Sequence, residues 1–230
     1  MKALILAAGR GTRMNHLTDD MPKPLIKINK RAFLDLILEN LSVAGIDDVG
    51  IVVGYKKEKI IQHLKDSEPK IKTRFIEQEE QLGTGHAIKM AKEWSGGEDF
   101  IVLMGDNLYS PKDIKNICRE EGFCCVAGYE HKHPENFGVL VINKGRLERI
   151  VEKPSSPPSN MINTGLYRFT PDIFDALDRT KKSERDEYEI TDAITMLCQK
   201  QMVKVVKIQD YWLNLGCPED IPKLEKFLTP

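Results

Sequence analysis

No apolar run in the chain approaches the roughly 18 residues that a bilayer-crossing helix requires, so no membrane partner is expected. The amino-terminal stretch enters a strand-like run at once and lacks the charged, apolar and small-residue blocks of a secretory leader. A cytoplasmic location is therefore expected. Charge of one sign is also missing: 34 Lys and Arg stand against 35 Asp and Glu, a formal net charge of −1. A protein that coats nucleic acid or an anionic membrane would need a basic excess. The five cysteines, Cys118, Cys124, Cys125, Cys198 and Cys217, form no Cys-x-x-Cys pair and no zinc-ligand spacing with histidine. Reduced thiols in a reducing compartment are expected. Repeats, low-complexity tracts and long linkers are absent too, the Pro/Ser stretch at 154–158 being only a loop.

What is present is an ordinary globular composition, 41% hydrophobic and 30% charged over 230 residues. A chain of that size buries about 70% of its unfolded surface, enough for a full core. In the first half, strand-like runs at 2–8, 48–53, 71–76 and 100–104 alternate with helical patterns at 32–44, 56–64 and 85–94. Such alternation implies right-handed crossovers and a mainly parallel sheet with helices on both faces, an α/β fold of Rossmann-like type. After Gly122 the rhythm changes. Strand-like runs at 124–129, 138–143, 147–152 and 162–169 follow one another without long helices, which predicts an added antiparallel or mixed portion. Helices at 171–177, 188–199 and 218–227 and a strand at 203–207 complete the expectation. One domain spanning 1–230 is expected, with a first part of about 1–122 and a second of about 123–230.

The chemistry is concentrated in short motifs. Gly9-Arg10-Gly11-Thr12-Arg13 directly follows the first strand, where glycines leave backbone N–H groups free to wrap a polyphosphate. It is neither a Walker A loop, since no Lys stands in the required place, nor a dinucleotide fingerprint, since Met14 occupies the third glycine position. Downstream, Pro22-Lys23-Pro24-Leu25 fixes the backbone around one cation. An ammonium and a guanidinium (Arg13) near such a loop can neutralise a triphosphate and its leaving pyrophosphate.

Together, Leu6-Ala7-Ala8-Gly9-Arg10-Gly11-Thr12-Arg13-Met14 and Pro22-Lys23-Pro24-Leu25 resemble the signature of the sugar-1-phosphate nucleotidyltransferases, or nucleoside-diphosphate-sugar pyrophosphorylases. Further segments agree in order: Gln78, Glu80-Gln81-Leu82-Gly83-Thr84-Gly85-His86-Ala87, Gly105-Asp106, Glu152-Lys153-Pro154 and Asn163-Thr164-Gly165. The Gly-Thr-Gly-His-Ala string is especially like bacterial N-acetylglucosamine-1-phosphate uridylyltransferases. The resemblance covers residues 1 to about 220 and implies a single domain of the GT-A-like nucleotidyltransferase type.

That resemblance implies an enzyme that joins an NTP and a sugar 1-phosphate with the help of Mg²⁺. Leu6, Ala8, Gly9, Gly11, Thr12, Gln78, Gly83 and Thr84 would hold the nucleotide, and Arg13, Lys23 and Asp106 would act in catalysis. A Gln amide can donate and accept at a base edge, and the family pattern points to uracil or thymine. Asp106 stands just past a predicted strand, at the carboxyl end where open α/β sheets bind ligands, and a single carboxylate there suits Mg²⁺. Ser110 can cap the following helix, which leaves Asp106 free of that duty. Gly138, Glu152, Lys153 and Asn163 would hold the sugar phosphate, provided the strand ends at Pro154 so that Glu152 and Lys153 need not face opposite ways.

One departure concerns the metal. The family segment usually reads Trp-x-Asp-x-Gly-Thr-Pro, with the Asp as second ligand, whereas this chain reads Trp212-Leu213-Asn214-Leu215-Gly216-Cys217-Pro218. Asn214 offers a carbonyl oxygen but one negative charge fewer, as in the uridylyltransferases that share the Gly-Thr-Gly-His-Ala string. His16, His63, His131 and His133 lack ligand spacing, and His86 reads as structural. Other readings stay open: a cytidylyl- or guanylyltransferase with another acceptor, or a nucleotide-sugar-binding regulatory homologue without chemistry. Self-assembly is open as well. The length leaves no room for the hexapeptide-repeat β-helix of bifunctional relatives, so no acetyltransferase part is expected.

Overall fold

The computed structural model describes residues 1–229. Along the chain it forms β1 (Lys2–Ala7), β2 (Lys27–Ile28), β3 (Arg31–Ala32), α1 (Phe33–Val43), β4 (Asp48–Val53), α2 (Lys57–Ser67) and β5 (Lys72–Glu77). There follow α3 (Thr84–Lys89), α4 (Lys92–Ser95), β6 (Phe100–Met104), β7 (Asn107–Tyr109), α5 (Pro111–Cys118), β8 (Cys124–Glu130), β9 (Gly138–Asn143), β10 (Arg146–Glu152) and β11 (Met161–Phe169). The chain continues through α6 (Asp172–Arg179), α7 (Ile190–Gln199), β12 (Val203–Lys207), β13 (Trp212–Asn214) and α8 (Ile221–Phe227).

Nine strands form one mixed sheet in the order β5-β4-β1-β6-β11-β8-β12-β10-β9. The first four are mutually parallel and supply the Rossmann-like half. β1 and β6 read as continuous apolar runs because both of their faces are covered. Ala3, Ile5 and Ala7 point into a core shared with α1, α2, α5 and α8, while Leu4 and Ala8 point into a second core under α3, α6 and α7. Helices thus cover both faces, as the strand–helix alternation implies. Local signals set the helix ends. Ser110 Oγ accepts from Asp113 N at 3.1 Å and caps α5. Past α1, Gly45 takes a left-handed φ of 87° and Ile46 N–H returns to Leu41 O at 3.0 Å, a Schellman ending.

β11 is antiparallel and divides its partners. Its carboxyl-terminal half pairs with β6 (Leu166 opposite Leu103), and its amino-terminal half meets β9 at Ile162 and Val139. The register against β8 breaks between Asn163 and Tyr167, with Gly165 at φ 84° inside the break. Three details differ from the expectation. The predicted helix over 85–94 is two short helices, α3 and α4, with Met90 and Ala91 between them. The helix over 218–227 opens as a 3-10 turn at Pro218–Asp220 and becomes α-helical only at Ile221. Residues 107–109 and 212–214, too short to show a pattern, pair as a separate antiparallel ribbon, Asn107 opposite Asn214 and Tyr109 opposite Trp212.

Candidate active site

The site lies at the carboxyl ends of β1 and β6, where chain leaving the strands cannot continue the ladder and its polar groups turn outward. A cleft of about 340 Å³ opens there, and Leu6, Ala8, Gly9, Gly11, Thr12, Arg13, Lys23, Gln78, Gly83, Thr84 and Asp106 all line it. The 11 residues come from five separate stretches of chain. Among the described residues, the N–H groups of Gly9, Arg10 and Gly11 donate to no other group, so they are free for an anion. Gly11 is required at its place. Its φ is 66°, and a Cβ there would stand 3.0 Å from Lys23 Cβ, so the absence of a side chain lets the loop lie against Lys23.

Lys23 is not a solvated loop lysine, being only 6% exposed. Its Nζ lies 2.6 Å from Asp106 Oδ2, an ion pair between side chains 8% and 24% exposed. The other carboxylate oxygen accepts from Asn107 Nδ2 at 2.9 Å, and Asn107 Oδ1 in turn accepts from Trp212 Nε1 at 2.7 Å. Asp106 is thus oriented through the β7–β13 ribbon. Leu215 N–H donates to Asp106 O at 2.8 Å, so the backbone at Asn214 runs beside Asp106, although Asn214 is not part of the cleft's lining. The cation on the Asp106 carboxylate in this structure is the Lys23 ammonium. Asp106, with Asn214 on the adjoining strand opposite Asn107, carries the oxygen type that Mg²⁺ takes, one or two protein oxygens with the shell completed by phosphates and water.

Gln78 is also buried, at 3% exposure, and does not belong to the exposed acidic run around it. Its Nε2 lies 3.1 Å from Gly83 O and 3.0 Å from His86 Nδ1. Burial, helped by the nearby Lys89 charge, holds the His86 imidazole below its usual pKa. The far wall of the cleft comes from the α6–α7 connection. Tyr188 N–H donates to Leu82 O at 2.8 Å and Gly85 N–H to Tyr188 O at 2.8 Å, so the two segments run together. Gly83 makes that approach possible: its φ is 98° and a Cβ would stand 2.6 Å from Tyr188 O.

The residues assigned to the sugar phosphate lie outside that cleft's lining. Gly138 opposes Glu152 across β9 and β10, and a Cβ at Gly138 would be 3.1 Å from Glu152 Oε2 and 3.7 Å from Asn163 Cβ, so these three form one cluster. β10 ends at Glu152, and Lys153 turns to a left-handed φ of 41° with its N–H on Phe137 O at 3.0 Å. Strand alternation therefore does not oppose Glu152 and Lys153. Asn163 donates to the Tyr167 hydroxyl at 2.8 Å and accepts from Gly165 N–H at 3.1 Å. The β11 break joins the two regions: a Cβ at Gly165 would lie 2.8 Å from Met104 Cγ and 3.8 Å from Asn107 Nδ2. Sequence reasoning missed Asn107, Gln81 and Glu187. Adjacency to Asp106 could have flagged Asn107, whereas nothing local marks Glu187, which reaches the cleft on a distant connection.

The family described as nucleotidyl transferase matches residues 2–230. A Methanocaldococcus jannaschii protein named bifunctional protein GlmU is 41% identical over 229 residues, covering 99% of this chain and 54% of its own length. The Haloferax volcanii UTP–glucose-1-phosphate uridylyltransferase AglF is 35% identical, with 99% and 96% covered. The chain spans about half the length of the GlmU-named relatives and nearly all of AglF. Among solved structures, a UDP-glucose pyrophosphorylase complexed with UDP-glucose superposes with a TM-score of 0.88 at 25% identity, covering 98% of this chain and 97% of that one. With its motifs in order, the family matched over almost its whole length and a shared fold, the chain belongs to the nucleotidyl transferase family.

Proposed function

We propose that the protein transfers a nucleotidyl group from an NTP, UTP or dTTP, to a sugar 1-phosphate in a Mg²⁺-dependent reaction that releases pyrophosphate. The observation that carries this reading is the convergence of Gly9–Gly11 N–H groups, Arg13, Lys23, Asp106 and Gln78 on one cleft at the strand ends. In the reaction a phosphate oxygen of the sugar 1-phosphate forms a bond to the α-phosphorus. The bond from that phosphorus to the bridging α–β oxygen breaks, and pyrophosphate takes its electron pair. The nucleophile is already an anion, so alignment and charge neutralisation matter more than a general base.

Each residue has a defined task. The loop N–H groups and Arg13 hold the triphosphate, and Lys23 moves its charge from Asp106 to the phosphates. Asp106 and Asn214 hold the metal, which when bound neutralises charge building on the phosphate oxygens. Gln78, Gly83 and Thr84 receive the nucleoside beside Leu6 and Ala8. Lys153 places the incoming phosphate, with Glu152, Asn163 and the Gly138 backbone on the sugar. Relatives named for uridylyl transfer to glucose 1-phosphate support this choice of partners. The test is pyrophosphate release with each NTP against a panel of sugar 1-phosphates. Release with UTP or dTTP, dependent on Mg²⁺, is expected, and no release with any pair would refute an enzymatic role.

A further inference from the structure

The orientation of the Gln78 side chain can be worked out from its neighbours, although an amide's oxygen and nitrogen are alike in shape. Gly83 O carries only lone pairs, so the amide atom 3.1 Å from it is the nitrogen. That same nitrogen is 3.0 Å from His86 Nδ1, so Nδ1 must also offer a lone pair and the neutral ring carries its proton on Nε2. Both N–H bonds of the amide are then committed to the protein. Gln78 Oε1 accepts from no group among the described residues, and Gln78 lines the cleft. The residue is 3% exposed, and its unpartnered oxygen is not among the buried atoms, so what accessibility it has opens onto the cleft. Gln78 therefore presents an acceptor, and not an interchangeable amide, to whatever base enters.

We infer that His86 is a positioning residue for base selectivity: by taking the second N–H of Gln78 beside Gly83 O, it keeps the amide from turning and holds its oxygen toward the ligand. The inference rests on the nucleotide-binding reading of this cleft and sharpens it. A uracil or thymine ring carries an imide N–H between two carbonyls and can donate to Gln78 Oε1. Cytosine has a lone pair at that ring position, so it meets the acceptor with an acceptor unless the base shifts to bring its neighbouring 4-amino group there. Discrimination follows from the cost of leaving facing acceptors unpaired once a base has covered them. His86 touches Gln78 and reaches the ligand only through it. The arrangement is built by chain distant in sequence: Tyr188 O on Gly85 N–H fixes the start of α3, and the Tyr188 ring lies 6.4 Å from the imidazole.

Three proteins test this by calorimetric binding of UTP and CTP without acceptor: wild type, His86→Leu, which removes the acceptor nitrogen, and His86→Asn, whose amide oxygen can replace Nδ1. In His86→Leu the UTP:CTP affinity ratio should fall by up to about tenfold, the equivalent of one hydrogen bond, through weaker UTP binding, and His86→Asn should restore most of it. Equal weakening of both nucleotides, or an unchanged ratio in His86→Leu, would overturn the role of His86. Wild-type preference for CTP, or binding of neither, would instead sink the uracil or thymine reading of the cleft. Nitrogen-15 spectra of wild-type histidines at neutral pH give a readout independent of any variant's folding. An unprotonated Nδ1 on His86 is required, and the opposite tautomer would refute the proposal.

Discussion

Replacing Lys23 with methionine deletes the ammonium while keeping an unbranched apolar stem against Gly11. The lost contact is the 2.6 Å ion pair to Asp106, whose side chain is 24% exposed. Removing one partner of a fully buried pair costs about 3–5 kcal/mol, and losing a hydrogen bond to a charged group about 1.5–3 kcal/mol. Asp106 keeps the Asn107 amide at 2.9 Å and some access to water, which points to the lower range. A loss of about 2 kcal/mol should lower the melting temperature by about 4–8 °C for a chain of this size. The carboxylate so freed has lost its cation, and a divalent ion can take that place. Mg²⁺ or Mn²⁺ added without nucleotide should therefore raise the melting point of Lys23→Met more than that of wild type. Mn²⁺ binding followed by electron paramagnetic resonance should be tighter in the variant. Turnover should fall by about 10²–10³, the usual loss for one charge-stabilising donor. Identical metal responses in the two proteins would show that ammonium and metal do not share Asp106, and would refute the reasoning.

Other perturbations probe separate links. Asn214→Asp adds a negative charge beside Asp106 and should lower the Mg²⁺ concentration for half-maximal turnover, while Asn214→Ala should raise it; unchanged Mg²⁺ dependence in both removes Asn214 from the metal site. Gly83→Ala forces a left-handed φ of 98° on an L side chain, at about 1–2 kcal/mol, and pushes a Cβ to 2.6 Å from Tyr188 O. Thermal melts should show that loss and calorimetry a weaker UTP affinity, whereas unaltered binding would mean that the α6–α7 wall does not shape the cleft. Burial pushes the Cys125 thiol up to about 12 and those of Cys118 and Cys198 up to about 11, so few thiolates exist at pH 8. Mass spectrometry should find these three unalkylated by iodoacetamide in the native protein and modified only after denaturation; rapid native labelling would contradict the burial.

The local features were legible because they depend on near neighbours in the chain. The apolar run of β1 and the glycine loop behind it, the Ser110 cap, the Gly45 ending and the order of motifs from Leu6 to Asn163 all follow from backbone preference and residue chemistry at short spacing. The α/β class follows too, because alternating strands and helices have few ways to cover both faces of a sheet. What the chain alone left undecided is set by contacts between distant segments. Lys23 could have been a solvated lysine until packing placed it on Asp106, 83 residues away. Gln78 could have been one more polar residue in an acidic run until Val53 O of β4 took its backbone N–H and Gly83 O and His86 took its side-chain amide. The β7–β13 ribbon is three residues long on each side, too short for any period to show, yet it orients Asp106 and brings Asn214 beside it. The left-handed turn at Lys153 and the Glu187 wall are of the same kind. Sequence determined which chemical groups the protein carries and in what order, and tertiary structure decided which lone pairs and charges remain free to meet a ligand, because that depends on what the rest of the fold has already paired.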